Sequence, residues 1–132
     1  MAFKYYNRHP KGISTTDCVV RAISTAYDID YLECRRNLNK AKKELGFSSY
    51  KDTKFLYKYL EGNPRLIFKA LKGEPRIKAT DFIVLHPKGT YILKLSGHIT
   101  CVIDGTILDT WDCGYRSVYT AWEVKKNESN IY

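Results

Sequence analysis

The chain of 132 residues predicts an α+β domain, with helices first and an antiparallel sheet second. Three observations carry that expectation. Apolar residues recur at helical spacing from Cys18 to Leu60, the period shortens to two from Thr90 onward, and Asp104-Gly105 stands between two apolar runs as a hairpin turn requires. Aliphatic, aromatic and cysteine residues make up 44% of the chain, enough for a packed core, so a single domain over 1–132 is expected.

Residues 1–13 read as an ordered arm with an extended start, in which Phe3, Tyr5 and Tyr6 supply apolar area before Pro10 and Gly12 turn the chain. Ser14-Thr15-Thr16-Asp17 is a helix-start signal: hydroxyls that can cap, then a carboxylate near the positive helix end. The helix that follows, Cys18 to Tyr27, is apolar on most sides, which makes it a buried central helix. Asp30 to Glu33 is a capping box for a second helix, with Tyr31, Cys34, Leu38, Ala41 and Leu45 at helical spacing and Gly46 as its stop. A third helix is expected from about Lys51 to Leu60, then a short strand over Leu66–Phe68 and a short helix opened by Thr80-Asp81 and closed by Pro87-Lys88-Gly89.

The sheet residues follow. Thr90–Leu95, His98–Ile103, Thr106–Trp111 and Ser117–Val124 read as four successive strands of a meander. Lysine and asparagine at 125–130 predict a frayed tail.

Charge and cysteines narrow the function classes. No run of about 18 apolar residues exists, so no membrane helix is expected. The basic N-terminus has no apolar stretch behind it, so no secretory signal is expected and the location predicted is the cytoplasm. Four scattered cysteines without a C-x-x-C pair suit reduced thiols better than disulfides, and with His98 they do not make a zinc cage; no cofactor or metal is expected. The net charge is +8. Its lysines sit at spacings of solvated helix faces among interleaved acids, which favours a solubilising surface or an acidic protein partner over a dedicated nucleic-acid site.

One constellation carries chemistry. Cys18 opens a buried helix, where partial positive charge and free N–H groups lower a thiol's pKa and can also stabilise an oxyanion. If Asp104 and Gly105 form the hairpin loop, Ile103 pairs with Thr106, Thr100 faces Asp109 and His98 faces Trp111. Those four side chains then share one face, and His98 and Asp109 are diagonal neighbours at roughly 7–8 Å between Cβ atoms. Asp109 would hold one imidazole nitrogen and leave the other for the thiol of Cys18, as nucleophile–base–orienter triads require. Trp111 would roof the pair, with Asp17 beside the nucleophile. Each residue alone also has a structural reading: a small core hydrophobe for Cys18, a satisfied histidine for His98, a turn residue for Asp109. Cys34, Cys101 and Cys113 read as core, and Asp112 alternates to the face away from His98.

Thr16-Asp17-Cys18-Val19-Val20-Arg21-Ala22-Ile23-Ser24, with Gly97-His98-Ile99-Thr100 and Asp104-Gly105 to Asp109-Thr110-Trp111-Asp112, resembles the papain-like cysteine peptidase superfamily in three short patches. Over most of the chain, including His86-Pro87-Lys88-Gly89-Thr90-Tyr91, it is similar to small uncharacterised proteins carried by phages of Gram-positive bacteria. The Asp-Cys dipeptide before an apolar helix also resembles bacteriocin-processing peptidases and cell-wall endopeptidases. The resemblance implies a papain-like fold, a thiolate–imidazolium pair and hydrolysis of a peptide, isopeptide or amide bond through an acyl-enzyme. Such enzymes commonly place Gln or Asn several residues before the nucleophile to complete the oxyanion hole. Gly12 stands there instead, which leaves Asn7 by elimination.

The function expected is a cytoplasmic thiol hydrolase acting on a peptide or protein. The alternative is a weak or inactive papain-like fold that binds a host protein or nucleic acid through its basic surface.

Overall fold

The computed structural model describes residues 2–13 and 15–125 of the chain. Among them are four helices, α1 (Cys18–Tyr27), α2 (Tyr31–Glu44), α3 (Thr53–Tyr59) and α4 (Ala79–Leu85). The strands are β1 (Phe3–Tyr5), β2 (Arg65–Ile67), β3 (Thr90–Leu95), β4 (His98–Ile103), β5 (Thr106–Asp109) and β6 (Val118–Val124). Together they form one mixed sheet in the order β1-β5-β4-β3-β6-β2. The α+β expectation holds. The tail expected at 125–130 lies outside the described residues beyond Lys125, as does the capping hydroxyl of Ser14.

The hairpin that sets the site follows from two residues. Asp104 and Gly105 both adopt positive φ, 47° and 77°, the type I′ geometry whose twist matches the flanking strands. The register is then Ile103 to Thr106 and Cys101 to Leu108. Asp104 is also tied down from outside: its carboxylate accepts from the Gly89 N–H at 2.9 Å and its own N–H donates to the Gly89 carbonyl at 2.8 Å.

The meander stops at β5. The strand expected to extend it, β6, instead returns to pair with β3, from Thr90–Val124 to Leu95–Val118. Two constraints explain this. The outer edge of β5 is taken by the N-terminal arm, whose β1 pairs in parallel, Phe3 with Ile107 and Tyr5 with Asp109. And β3 is buried on both faces at almost every residue, so an open edge there would leave its backbone N–H and C=O groups unpaired in the interior.

Side chains alternate across this sheet into two cores. Ile92, Ile99, Cys101 and Trp122 face α1, α2 and α3, whereas Leu93, Leu95, Val102 and Ala121 face α4. Helix α1 is the buried helix its composition predicts: all residues from Val19 to Ala26 are buried, and it packs directly on β4. Asp30 caps α2 by accepting from the N–H groups of Leu32 and Glu33. Asp52 caps α3 through Lys54 N–H. No helix of the described residues is long and apolar enough to cross a membrane.

Ile23 is 1% exposed at the contact of α1 with the sheet. Ile23→Ala should therefore cost about 2–5 kcal/mol, seen as a lower urea midpoint with an unchanged slope.

Candidate active site

Asp109 ends β5 and is buried, 2% exposed, with both oxygens occupied. Its Oδ2 meets His98 Nε2 at 2.7 Å and accepts from Thr100 Oγ1 at 2.6 Å. Its Oδ1 accepts from Arg21 Nη1 at 2.7 Å and from the Thr110 N–H at 2.6 Å. Burial opposes the charge, but the hydrogen bonds from His98 and Thr100 and the charge of His98 outweigh it and pull the carboxyl down to about 2. The alternation argument therefore placed Thr100, His98 and Asp109 correctly on one face.

His98 opens β4. Burial disfavours its charged form, yet hydrogen bonds with Asp109, Cys113 and Cys18 hold the ring protonated well above the ordinary histidine range. With Nε2 held by Asp109, Nδ1 is the nitrogen left for the thiol. Trp111 covers the ring at 4.8 Å between centroids, tilted by 49°.

Cys18 arrives from the other layer. Helix α1 lies over the face that Ile99 and Cys101 present, and its first residue reaches the start of β4. Burial raises the thiol, but its hydrogen bond with His98, the charge of that ring and the Ile99 N–H together bring it below an ordinary thiol. Cys34 is the internal contrast. It has no such partner, its Sγ lies 3.8 Å from the Val20 carbonyl, and burial pushes it up to about 12.

Asp17 does not line the cleft, although it was expected to. It makes no capping bond to α1 and is buried, with Oδ1 accepting from Arg21 Nε at 2.8 Å and Oδ2 from the Tyr31 hydroxyl at 2.6 Å. The physical reason is Arg21, whose guanidinium sits between Asp17 and Asp109 and draws both carboxylates to itself. Arg21 is the functional residue that sequence reasoning passed over. Its signal was visible: one charge within Cys18-Val19-Val20-Arg21-Ala22-Ile23, on a helix otherwise read as buried, must meet an anion.

Asn7 is also elsewhere. Its amide nitrogen donates to the Ile13 carbonyl at 2.9 Å and its oxygen accepts from the His9 N–H at 2.9 Å, so it shapes the turn of the arm and is not among the cleft residues. The donors left for an oxyanion are backbone N–H groups at the start of α1. Cys113, read as plain core, touches the site: its Sγ lies 3.7 Å from Asp109 Oδ2.

An open cleft of about 480 Å³ leads to this group, with Cys18, His98, Ile99 and Trp111 in its lining. Among the described residues, His98, Asp109 and Cys113 are the one trio with ligand atoms close enough together for a metal, within 4.8 Å. Their chemistry fits one poorly. The carboxylate is already saturated by Thr100, His98 and Arg21, and the guanidinium places a fixed positive charge where a cation would have to sit. No protein-family model, curated protein or solved structure matches this chain. The papain-like reading thus rests on the residues and their geometry.

Asp109→Asn should destabilise the fold by about 3–5 kcal/mol, because it strips the anion from a buried Arg21 and His98 together. In the wild type, the Asp109 contribution is present above its unfolded pKa of about 3.9 and is lost as pH falls toward 2. Counted from His98, whose folded pKa is raised, it is full below about 6.5 and is lost as pH rises through the raised value. Urea midpoints should hence plateau between about pH 4 and 6.5, and the plateau should flatten away in Asp109→Asn.

Proposed function

We propose that this chain is a papain-like thiol hydrolase that cleaves a peptide, isopeptide or amide bond. The observation that carries the reading is the meeting in one cleft of Cys18, whose thiol the His98 ring pulls below an ordinary thiol, and a His98 whose Nε2 is held at 2.7 Å by Asp109. Nucleophile and base line the open cleft, and the orienter is buried behind the base.

The chemistry runs in two halves. The Cys18 thiolate attacks the carbonyl carbon, and the oxygen takes the negative charge among the N–H groups that open α1. As the C–N bond breaks, His98 gives its proton to the departing amine, leaving a thioester on Cys18 and a neutral imidazole. Water then gives a proton to His98 while its oxygen attacks the thioester. The C–S bond breaks, the carboxylic acid leaves, and the thiolate–imidazolium pair returns. Asp109 stays ionised throughout and fixes which nitrogen of His98 faces the sulfur. A cytoplasmic setting and a phage origin belong to the same proposal.

A second reading, an inactive fold serving as a basic binding protein, is favoured by one observation. The only upstream side-chain amide, Asn7, is occupied in the N-terminal turn, so an oxyanion would depend on backbone donors alone.

Iodoacetamide separates the two. The hydrolase reading expects Cys18 to be alkylated readily at about pH 6, well below the usual thiol pKa of about 8.5, while Cys34 stays unlabelled. His98→Ala should abolish that low-pH reactivity, followed by mass spectrometry of the labelled peptides. Labelling of Cys18 as slow as that of Cys34 would instead favour the binding protein.

A further inference from the structure

We propose that the cleft over Cys18 takes an acidic peptide, with a carboxylate side chain beside the attacked carbonyl held by Lys94 and Lys51. This inference rests on the hydrolase reading of the same cleft and adds the charge of its substrate.

The shape supports an extended ligand. The hollow over Cys18 continues into a second of about 380 Å³, and the two share Thr53, Lys94 and Gly97. Tyr57 and Tyr119 line the far part. Tyr57 is fixed there by a hydrogen bond between its hydroxyl and that of Thr120. A chain entering past Trp111 would cross Cys18 and leave over Lys94 and Tyr119.

The charge along this path has one sign. Among the described residues, no aspartate or glutamate lines either hollow. Lys51 stands on the rim with its Nζ 3.2 Å from Thr16 Oγ1. Arg76 stacks on Tyr119 at 4.1 Å and Arg116 on Trp111 at 5.2 Å, so an aromatic ring toward each end of the path carries a guanidinium. The two acids near the nucleophile, Asp17 and Asp109, are both buried and both paired with Arg21, and Asp109 is paired with His98 as well.

Lys94 is the decisive residue. It projects from the middle of β3 toward the helix layer and is half-buried. Its ammonium donates to the neighbouring Leu95 carbonyl at 2.8 Å and lies 5.8 Å from the Tyr119 ring, but among the described residues it joins no ion pair. A half-buried ammonium with a carbonyl dipole and an aromatic face beside it, and no carboxylate, has room for an anion. Burial accordingly pulls its pKa down, and a nearby Cys18 thiolate pushes it back up, which places the two groups within electrostatic reach. An incoming carboxylate would supply the missing charge at the residue that flanks the scissile bond. The reacting group is a thiol paired with imidazole, which attacks carbonyls. That favours a peptide over the other polyanion a basic groove can attract, a nucleic acid.

Two measurements test this. The first compares alkylation of Cys18 by iodoacetate, an anion, and iodoacetamide, its neutral analogue, at low ionic strength. Iodoacetate should be favoured. Lys94→Gln should lower the iodoacetate-to-iodoacetamide rate ratio about fivefold, Lys51→Gln should lower it less, and Lys94→Arg should restore it. The second titrates Cys18→Ala protein with fluorescein-labelled peptides of alternating glycine and glutamate, glutamine or lysine, read by anisotropy. The glutamate peptide should bind at least about tenfold more tightly than the others, and Lys94→Gln should erase most of that preference. An unchanged alkylation ratio in Lys94→Gln, or equal binding of the three peptides, overturns the proposal. So does single-stranded DNA that protects Cys18 from iodoacetate where the glutamate peptide does not. If Cys18 reacts with neither reagent at low pH, the hydrolase reading fails by itself, and the peptide titration still decides the charge preference.

Discussion

A single buried carboxylate organises this protein. Asp109 is buried under the cleft with a cation on each oxygen, Arg21 on one side and His98 on the other, and without them its charge would be intolerable in the interior. Each cation in turn needs the carboxylate. The three are therefore locked together, and they come from the central helix, the hairpin's first strand and its second. What joins the helix layer to the sheet at this end of the molecule is electrostatic as well as apolar.

The consequences spread from that lock. Arg21 reaches back to Asp17, and Asp17 to the hydroxyl of Tyr31, so a chain of charged hydrogen bonds runs from α2 through α1 to the end of β5. This chain fixes the start of α1, where Cys18 sits. It also releases Asp17 from capping, which leaves the first N–H groups of α1 without that side-chain acceptor, beside the sulfur. The same interactions that hold the fold thus set the direction of the thiol, the protonation of the imidazole and the donors an oxyanion would need. On the outer side Lys51 and Lys94 line the cleft, and among the described residues neither joins an ion pair.

Much of this was legible before any coordinates. The Asp104-Gly105 turn dictates the pairing of β4 with β5, and pairing dictates that His98, Thr100 and Asp109 share a face, because strand side chains alternate. The apolar surround of α1 marks it as central. What escaped had a common cause. Arg21 was given no role, since nothing local says that it also meets a carboxylate 88 residues away. Cys113 was set aside as core, because a loop brings it under Asp109 and loops carry no periodicity to read. Asn7 was assigned by elimination, and elimination says nothing about distance. The last strand was expected to follow the meander, but its place depends on β1 occupying the edge of β5.

By itself, then, the amino-acid sequence determined the local elements, the hairpin register and which side chains of β4 and β5 share a face. Those depend on interactions between residues close along the chain, on side-chain period and on turn geometry. The tertiary structure alone decided which distant charges meet, where β6 returns and that Cys18 and His98 line one cleft. Such contacts join residues far apart in sequence, and their energies hinge on burial, which exists only once both layers have closed around them.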